Sequence, residues 1–84
     1  MALTEHEAKV LAALAILEPT GSLTVNELCH HARLTATAVR HALLRLSRDG
    51  LAMKTKQAPS RYRSTSRGSV AIRRPVYRQF GGRR

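Results

Sequence analysis

Eighty-four residues with fifteen Lys and Arg against five Asp and Glu, a net of +10, leave room for one small domain and argue against a large enzyme. The 43% hydrophobic and 24% charged fractions suit a folded chain better than a disordered one. Twelve of the fifteen cations are Arg, whose planar fork matches phosphate, so a polyanion is the first partner to consider.

Thr4 followed by Glu7 predicts a capping box, and Val10, Leu11, Leu14 and Leu17 then recur at helical spacing until Pro19, Thr20, Gly21 and Ser22 end the helix near Glu18. The signature repeats with Thr24 and Glu27, where Leu23 and Leu28 occupy the positions of a hydrophobic staple. Val25, Leu28, Cys29 and Ala32 give this second helix its apolar face. A short connection at Arg33 and Leu34 leads to Thr35, an N-cap for a third helix carrying Val39, Ala42, Leu43 and Leu46 inward and stopped by Gly50. From Leu51 to Gln57, alternation predicts a strand with Leu51, Met53 and Thr55 on the buried side. Ala58, Pro59 and Ser60 make the turn, and Arg61 to Thr65 return with Tyr62 inward and both Arg outward. The predicted core is Val10, Leu11, Leu14, Leu17, Leu28, Val39, Leu43, Leu46, Leu51, Met53 and Tyr62.

The charge is divided unevenly. Up to Ala32, Lys9 stands against Glu5, Glu7, Glu18 and Glu27, a net of −3; from Arg33 onward fourteen cations stand against Asp49, a net of +13. On the third helix, Thr37, His41, Leu44 and Arg48 project away from the apolar side, flanked by Ala38, Arg40 and Arg45, with no acid among them. A face tuned only for solubility usually mixes Glu with its cations, so this one suits groove contact.

Helix, helix, helix and basic hairpin is the order that puts one helix in the DNA major groove while the hairpin holds the backbone. In the run LTATAVRHALLRLSRDGLAMKTK, the hairpin KTKQAPSRYRST and the trailing Thr65-Ser66-Arg67-Gly68, the chain resembles winged helix-turn-helix regulators of the MarR and PadR type over roughly residues 4–70. The fold class expected is therefore mainly α with a small β-hairpin: a winged domain over residues 1–70 and a basic extension over 71–84. The resemblance implies that the N-terminal part of the third helix reads bases and that Lys54, Lys56, Arg61 and Arg63 hold phosphates. The base-reading candidates are Thr35, Thr37, Ala38, Arg40, His41 and Leu44. Arg33, Arg45 and Arg48 join the phosphate candidates, and Arg73, Arg74, Arg78, Arg83 and Arg84 form a basic tail.

The function expected is sequence-specific binding of double-stranded DNA by a small bacterial, phage or plasmid transcription regulator. The alternatives are an RNA-binding or ribosome-associated basic protein and a winged module that contacts another protein. A homodimer would use the first helix, Leu44, or the segment with Val70, Ile72, Val76, Tyr77 and Phe80. The tail from Arg73 to Arg84 is a disordered solubilising end, a basic arm along DNA, a single-strand or RNA-binding extension, or a segment packed back on the domain through Tyr77 and Phe80; on the arm reading, truncation after Arg74 leaves the fold intact.

Cys29 stands alone, which excludes an intramolecular disulfide and suits a reducing compartment, and it reads as a structural thiol. The apolar run from Val10 to Leu17 is too short to span a bilayer and follows Glu5 and Glu7 rather than a basic region, so no membrane partner is expected and the location reads as cytoplasmic, nucleoid-associated when DNA is bound. Cys29, His30 and His31 are adjacent and point about 100° apart on a helix, which cannot converge on one metal. No cofactor and no catalytic constellation is read from the sequence.

Overall fold

Each predicted helix start is closed by its own side chains. In the computed structural model, which describes residues 3–16, 21–55 and 60–77, α1 spans Glu5–Ile16, and the backbone N–H of Thr4 donates to Glu7 Oε1 at 3.1 Å while that of Glu7 donates to Thr4 Oγ1 at 3.2 Å. The second box opens α2 (Val25–Ala32) in the same way, at 2.9 and 3.2 Å, and Leu23 and Leu28 are both buried. Thr35 Oγ1 accepts from the Ala38 N–H to start α3 (Ala36–Arg48). Between α2 and α3, Arg33 takes the left-handed conformation at φ +58°, which costs a non-glycine residue about 1–2 kcal/mol. The Leu34 N–H reaches back to the Cys29 carbonyl at 3.2 Å and closes the turn. The helix-turn-helix angle is set there.

α1 is the axle of the core. It packs against α2, α3, a later helix and the sheet, so it buries Ala8, Val10, Leu11, Ala12, Ala13 and Leu14 on nearly every side, its alanines letting neighbours approach closely. Leu28, Val39, Ala42, Leu43 and Leu46 fill the space between α2 and α3, with Leu51, Tyr62 and Cys29 half-buried at the margin. Leu17 lies outside the described residues.

The hairpin is part of a three-stranded antiparallel sheet in the order β1-β3-β2, with β1 at Leu23–Thr24, β2 at Ala52–Lys54 and β3 at Arg61–Ser64. Leu23 pairs with Tyr62, Tyr62 with Lys54 and Ser64 with Ala52, which puts these five residues on one face and Met53 with Arg63 on the other. Tyr62 therefore faces inward as expected, whereas Met53 does not: it is 46% exposed and Ala52 takes the buried place. The Leu51 N–H still bonds the Leu46 carbonyl at 2.8 Å, so the turn out of α3 absorbs Leu51 and the strand begins one residue later. A one-residue offset exchanges the two faces of a strand. The hairpin turn at Ala58 and Pro59, with Lys56 and Gln57, lies outside the described residues.

After the sheet the chain forms α4 (Ser66–Ile72) and a 3-10 turn (Pro75–Tyr77), neither of which the sequence pattern announced. The expected domain boundary after Val70 falls within α4, and Ile72 and Tyr77 beyond it belong to the core. The Tyr77 hydroxyl also accepts the Leu3 N–H at 2.8 Å, joining the two ends of the described chain. Arg78, Phe80, Arg83 and Arg84 lie outside the described residues.

The Thr65-x-x-Gly68 element acquires a physical reason here. Thr65 Oγ1 donates to the Gly50 carbonyl at 2.6 Å and accepts the Gly68 N–H at 3.1 Å, while the Thr65 N–H bonds the Leu51 carbonyl at 3.0 Å. Gly50, at φ +77°, ends α3, so a single threonine ties the exit of the sheet to the end of that helix. Gly68 lies against the Leu51 carbonyl, where no side chain fits.

Candidate nucleic-acid interface

The inward residues of α3 are fixed by burial, and the outward ones follow from the helical period. Val39, Ala42, Leu43 and Leu46 are buried; Thr37, Arg40, His41, Leu44, Arg45, Ser47 and Arg48 are exposed, and none of these is acidic. Thr35, as N-cap, is exposed at the start of the helix, and Ala38 is half-buried at its edge. Of the six base-reading candidates, Thr37, Arg40, His41 and Leu44 share the outward side of α3, with Thr35 at its N-cap and Ala38 at the edge. Ser47 also belongs to this face and was not singled out from sequence, since an isolated serine carries no pattern.

The phosphate candidates and the cations near them differ in exposure. Arg33 at the α2–α3 turn, Arg48 at the end of α3 and Lys54 on β2 are exposed. Arg73 and Arg74 are exposed just past α4, and Arg67 lies beside Gly50, adding a cation near the C-terminal end of α3. Arg63 is half-buried on the same side of the sheet as Met53. Lys56 is outside the described residues.

Arg61, a phosphate candidate, is hydrogen-bonded within the fold. Its Nε donates to Ser22 Oγ at 2.9 Å, and its Nη2 donates to the Ser22 carbonyl at 2.8 Å and to Glu27 Oε1 at 3.2 Å. With three bonds to groups on and beside β1 and α2, it fastens the central strand to the helix-turn-helix rather than facing solvent as a free cation. The Thr24 N–H, and after it the Arg61 charge, hold the Glu27 carboxyl below the ordinary glutamate range.

Arg45 is also engaged. Its Nη1 lies 3.7 Å from Oε2 of Glu7, a residue buried at the start of α1 whose other oxygen is occupied by the cap. The acid end of α1 and the side of α3 border an open cleft of about 580 Å3, with Glu5, His6 and Glu7 on one wall and Thr37, His41 and Arg45 on the other. The capping pattern of Glu7 fully accounts for it in the sequence, so its approach to Arg45 is visible only in the fold. Glu7→Gln keeps the carbonyl that caps α1 and removes the charge that holds Arg45. The expected result is tighter binding to random duplex DNA and a salt dependence steeper by about 0.9 in log-log slope, the signature of one added phosphate contact. An unchanged slope in a salt titration would mean that Arg45 does not gain a phosphate.

Among the described residues, no group of three His, Cys, Asp or Glu side chains gathers to hold a metal ion. The exposed chemistry of this face is hydrogen-bond donation, cationic charge and one branched alkyl group.

The arrangement has close counterparts in known proteins. A MarR family transcriptional regulator from Silicibacter pomeroyi superposes with a TM-score of 0.79 at 20% identity, over 93% of this chain and 52% of that one. ZitR of Lactococcus lactis gives 0.75 at 20% identity, over 92% and 53%. MepR, the Staphylococcus aureus regulator of the multidrug efflux pump MepA, gives 0.73 at 21% identity, over 83% and 53%. The chain spans about half the length of these structures, and at such identities the likeness establishes the winged helix-turn-helix fold read from the sequence. No curated protein matches the sequence. The model of the family described as sugar-specific transcriptional regulator TrmB matches residues 1–67, and the chain belongs to that family of DNA-binding transcription regulators.

Proposed function

We propose that this chain binds double-stranded DNA sequence-specifically in the cytoplasm, as a homodimer, with α3 in the major groove and the sheet beside the backbone. The observation that carries the reading is the outward face of α3, where Thr37, Arg40, His41 and Arg48 are exposed with no carboxylate among them. Thr35, Ala38 and Leu44 complete the reading surface. Arg33, Arg48 and Lys54, all exposed, and Arg63 on the sheet supply phosphate contacts, and Arg61 and Arg45 also meet Glu27 and Glu7. The fold supports the docking mode: α2 and the turn at Arg33 hold α3 outward, and the sheet flanks it. No helix among the described residues is long and apolar enough to cross a membrane.

The proposed activity is binding without catalysis. Selection from a random duplex pool, followed by salt titration of the selected site, tests it. Affinity is expected to fall linearly in log-log form by about 0.9 per phosphate contact, several contacts being made, with duplex RNA a poor competitor. Binding insensitive to salt, or equal competition by duplex RNA, would move the chain to the RNA-binding or protein-contact alternatives.

A further inference from the structure

Leu44 is 68% exposed at the centre of the outward face of α3. Arg40 and Arg48 lie one turn before and after it, and His41 and Ser47 border it at three residues' distance, all exposed. A large alkyl group surrounded by cations has few suitable partners. An apolar protein surface that covered Leu44 would also strip water from Arg40 and Arg48, and a second copy of the same face would bring four guanidiniums together, so both are electrostatically opposed. The partner must offer an apolar group within a field of acceptors and anions. The major groove of DNA does so at one place only: the C5 methyl of thymine, which lies among base-edge acceptors and between two phosphate rows.

We infer that Leu44 is a thymine-methyl reader, so that the chain selects its site partly by a methyl group and, through it, discriminates DNA from RNA of the same sequence. This rests on the proposed placement of α3 in the major groove. It assigns the alkyl group a role separate from the hydrogen-bonding roles of Arg40 and His41. Duplex RNA loses the contact twice, since uracil lacks the methyl and the A-form major groove is too narrow for side-chain readout.

The test uses the full chain and the duplex it selects from a random thymine-containing pool. Each thymine of that duplex is replaced in turn by deoxyuridine, which removes the methyl and keeps the base-pairing edge and the B-form sugar. Wild-type protein is expected to bind about fourfold more weakly when the contacted thymine is replaced, the effect of losing one buried methyl, and to be indifferent at most other positions. Leu44→Ala, tolerated by the fold because the side chain is exposed, is expected to show the same loss on the thymine duplex and no further loss on the uracil one. 5-Methylcytosine at that position of a cytosine-substituted duplex is expected to recover part of the affinity relative to cytosine.

Equal affinity for every uracil duplex, with the preference over random DNA intact, overturns the methyl contact and leaves α3 reading by hydrogen bonds. Undiminished uracil sensitivity in Leu44→Ala also overturns it, since another residue must then touch the methyl. Failure to prefer any duplex overturns this inference together with the groove-binding reading beneath it.

Discussion

Gly68→Ala is expected to destabilise the domain by at least about 3 kcal/mol and to lower its melting temperature by roughly 12–24 °C. At an exposed helical position the same change usually stabilises by about 1 kcal/mol, because alanine is the better helix former. Position 68 reverses the sign. An added methyl runs into the Leu51 carbonyl oxygen and presses on Leu11 Cδ1 at 3.0 Å. The first of these is backbone, which no rotamer change can withdraw, and the same carbonyl accepts the Thr65 N–H. Relief would require α4 to lift from α1, loosening Ile72 and Tyr77 as well. An 84-residue domain has a total stability of only about 4–13 kcal/mol, so the change removes a large share of it. Thermal unfolding by circular dichroism decides the matter, with Val70→Ala as the exposed control on the same helix. A melting temperature unchanged or raised in Gly68→Ala would show that the approach of α4 to Leu51 is not a feature of the folded protein.

The contrast between α2 and α4 explains how much of the fold could be read from sequence. Thr24 and Glu27 announce α2 because a capping box is a local exchange of two hydrogen bonds, complete within four residues. Thr4 with Glu7, and the inward set of α3, were legible for the same reason: the spacing of a helix is contained in the helix. α4 has the residues Ser66, Arg67, Gly68, Ser69, Val70, Ala71 and Ile72, a composition with weak helix preference, and is held by contacts with α1 and β3. Its cause lies some fifty residues upstream. Met53 departs from the expected side because the start of β2 is decided by where the α3 turn lets go, not by alternation within the strand.

The candidate site divides along the same line. That Thr37, Arg40, His41, Leu44 and Arg48 share a face was legible, since helical geometry alone puts them there. Which cations are free was not. Arg61 bonds Ser22, 39 positions away, and meets the Glu27 carboxylate that caps α2, neither of which its neighbours in the chain reveal. Arg45 and Arg48 read alike on the helix, yet only Arg45 meets the buried Glu7. Counting cations measures the field that attracts a duplex, whereas the number of phosphate contacts depends on which cations the fold has already engaged.

Ending the chain after Arg74 is expected to produce the second large effect, a loss of roughly 3–5 kcal/mol, in place of the intact fold anticipated if the C-terminal segment were only an arm. Tyr77 is 6% exposed and packs in the same cluster as Leu11 and Ile72, so its removal opens a cavity of aromatic size. Its hydroxyl accepts the Leu3 N–H at 2.8 Å, and that bond is lost as well. The two terms separate in point variants. Tyr77→Phe keeps the ring and should cost about 1 kcal/mol, while Tyr77→Ala should account for most of the truncation's effect. The DNA-binding consequence is distinct, because truncation also removes Arg78, Arg83 and Arg84, which Tyr77→Ala retains. At a temperature where both variants remain folded, the truncated chain is expected to bind all duplexes more weakly with a shallower salt slope, and Tyr77→Ala to keep the wild-type slope. Paired melting curves and salt titrations measure both effects. A truncated chain that melts with the wild type would return Tyr77 to the surface, and equal slopes for the two variants would remove the last three arginines from the contact with phosphate.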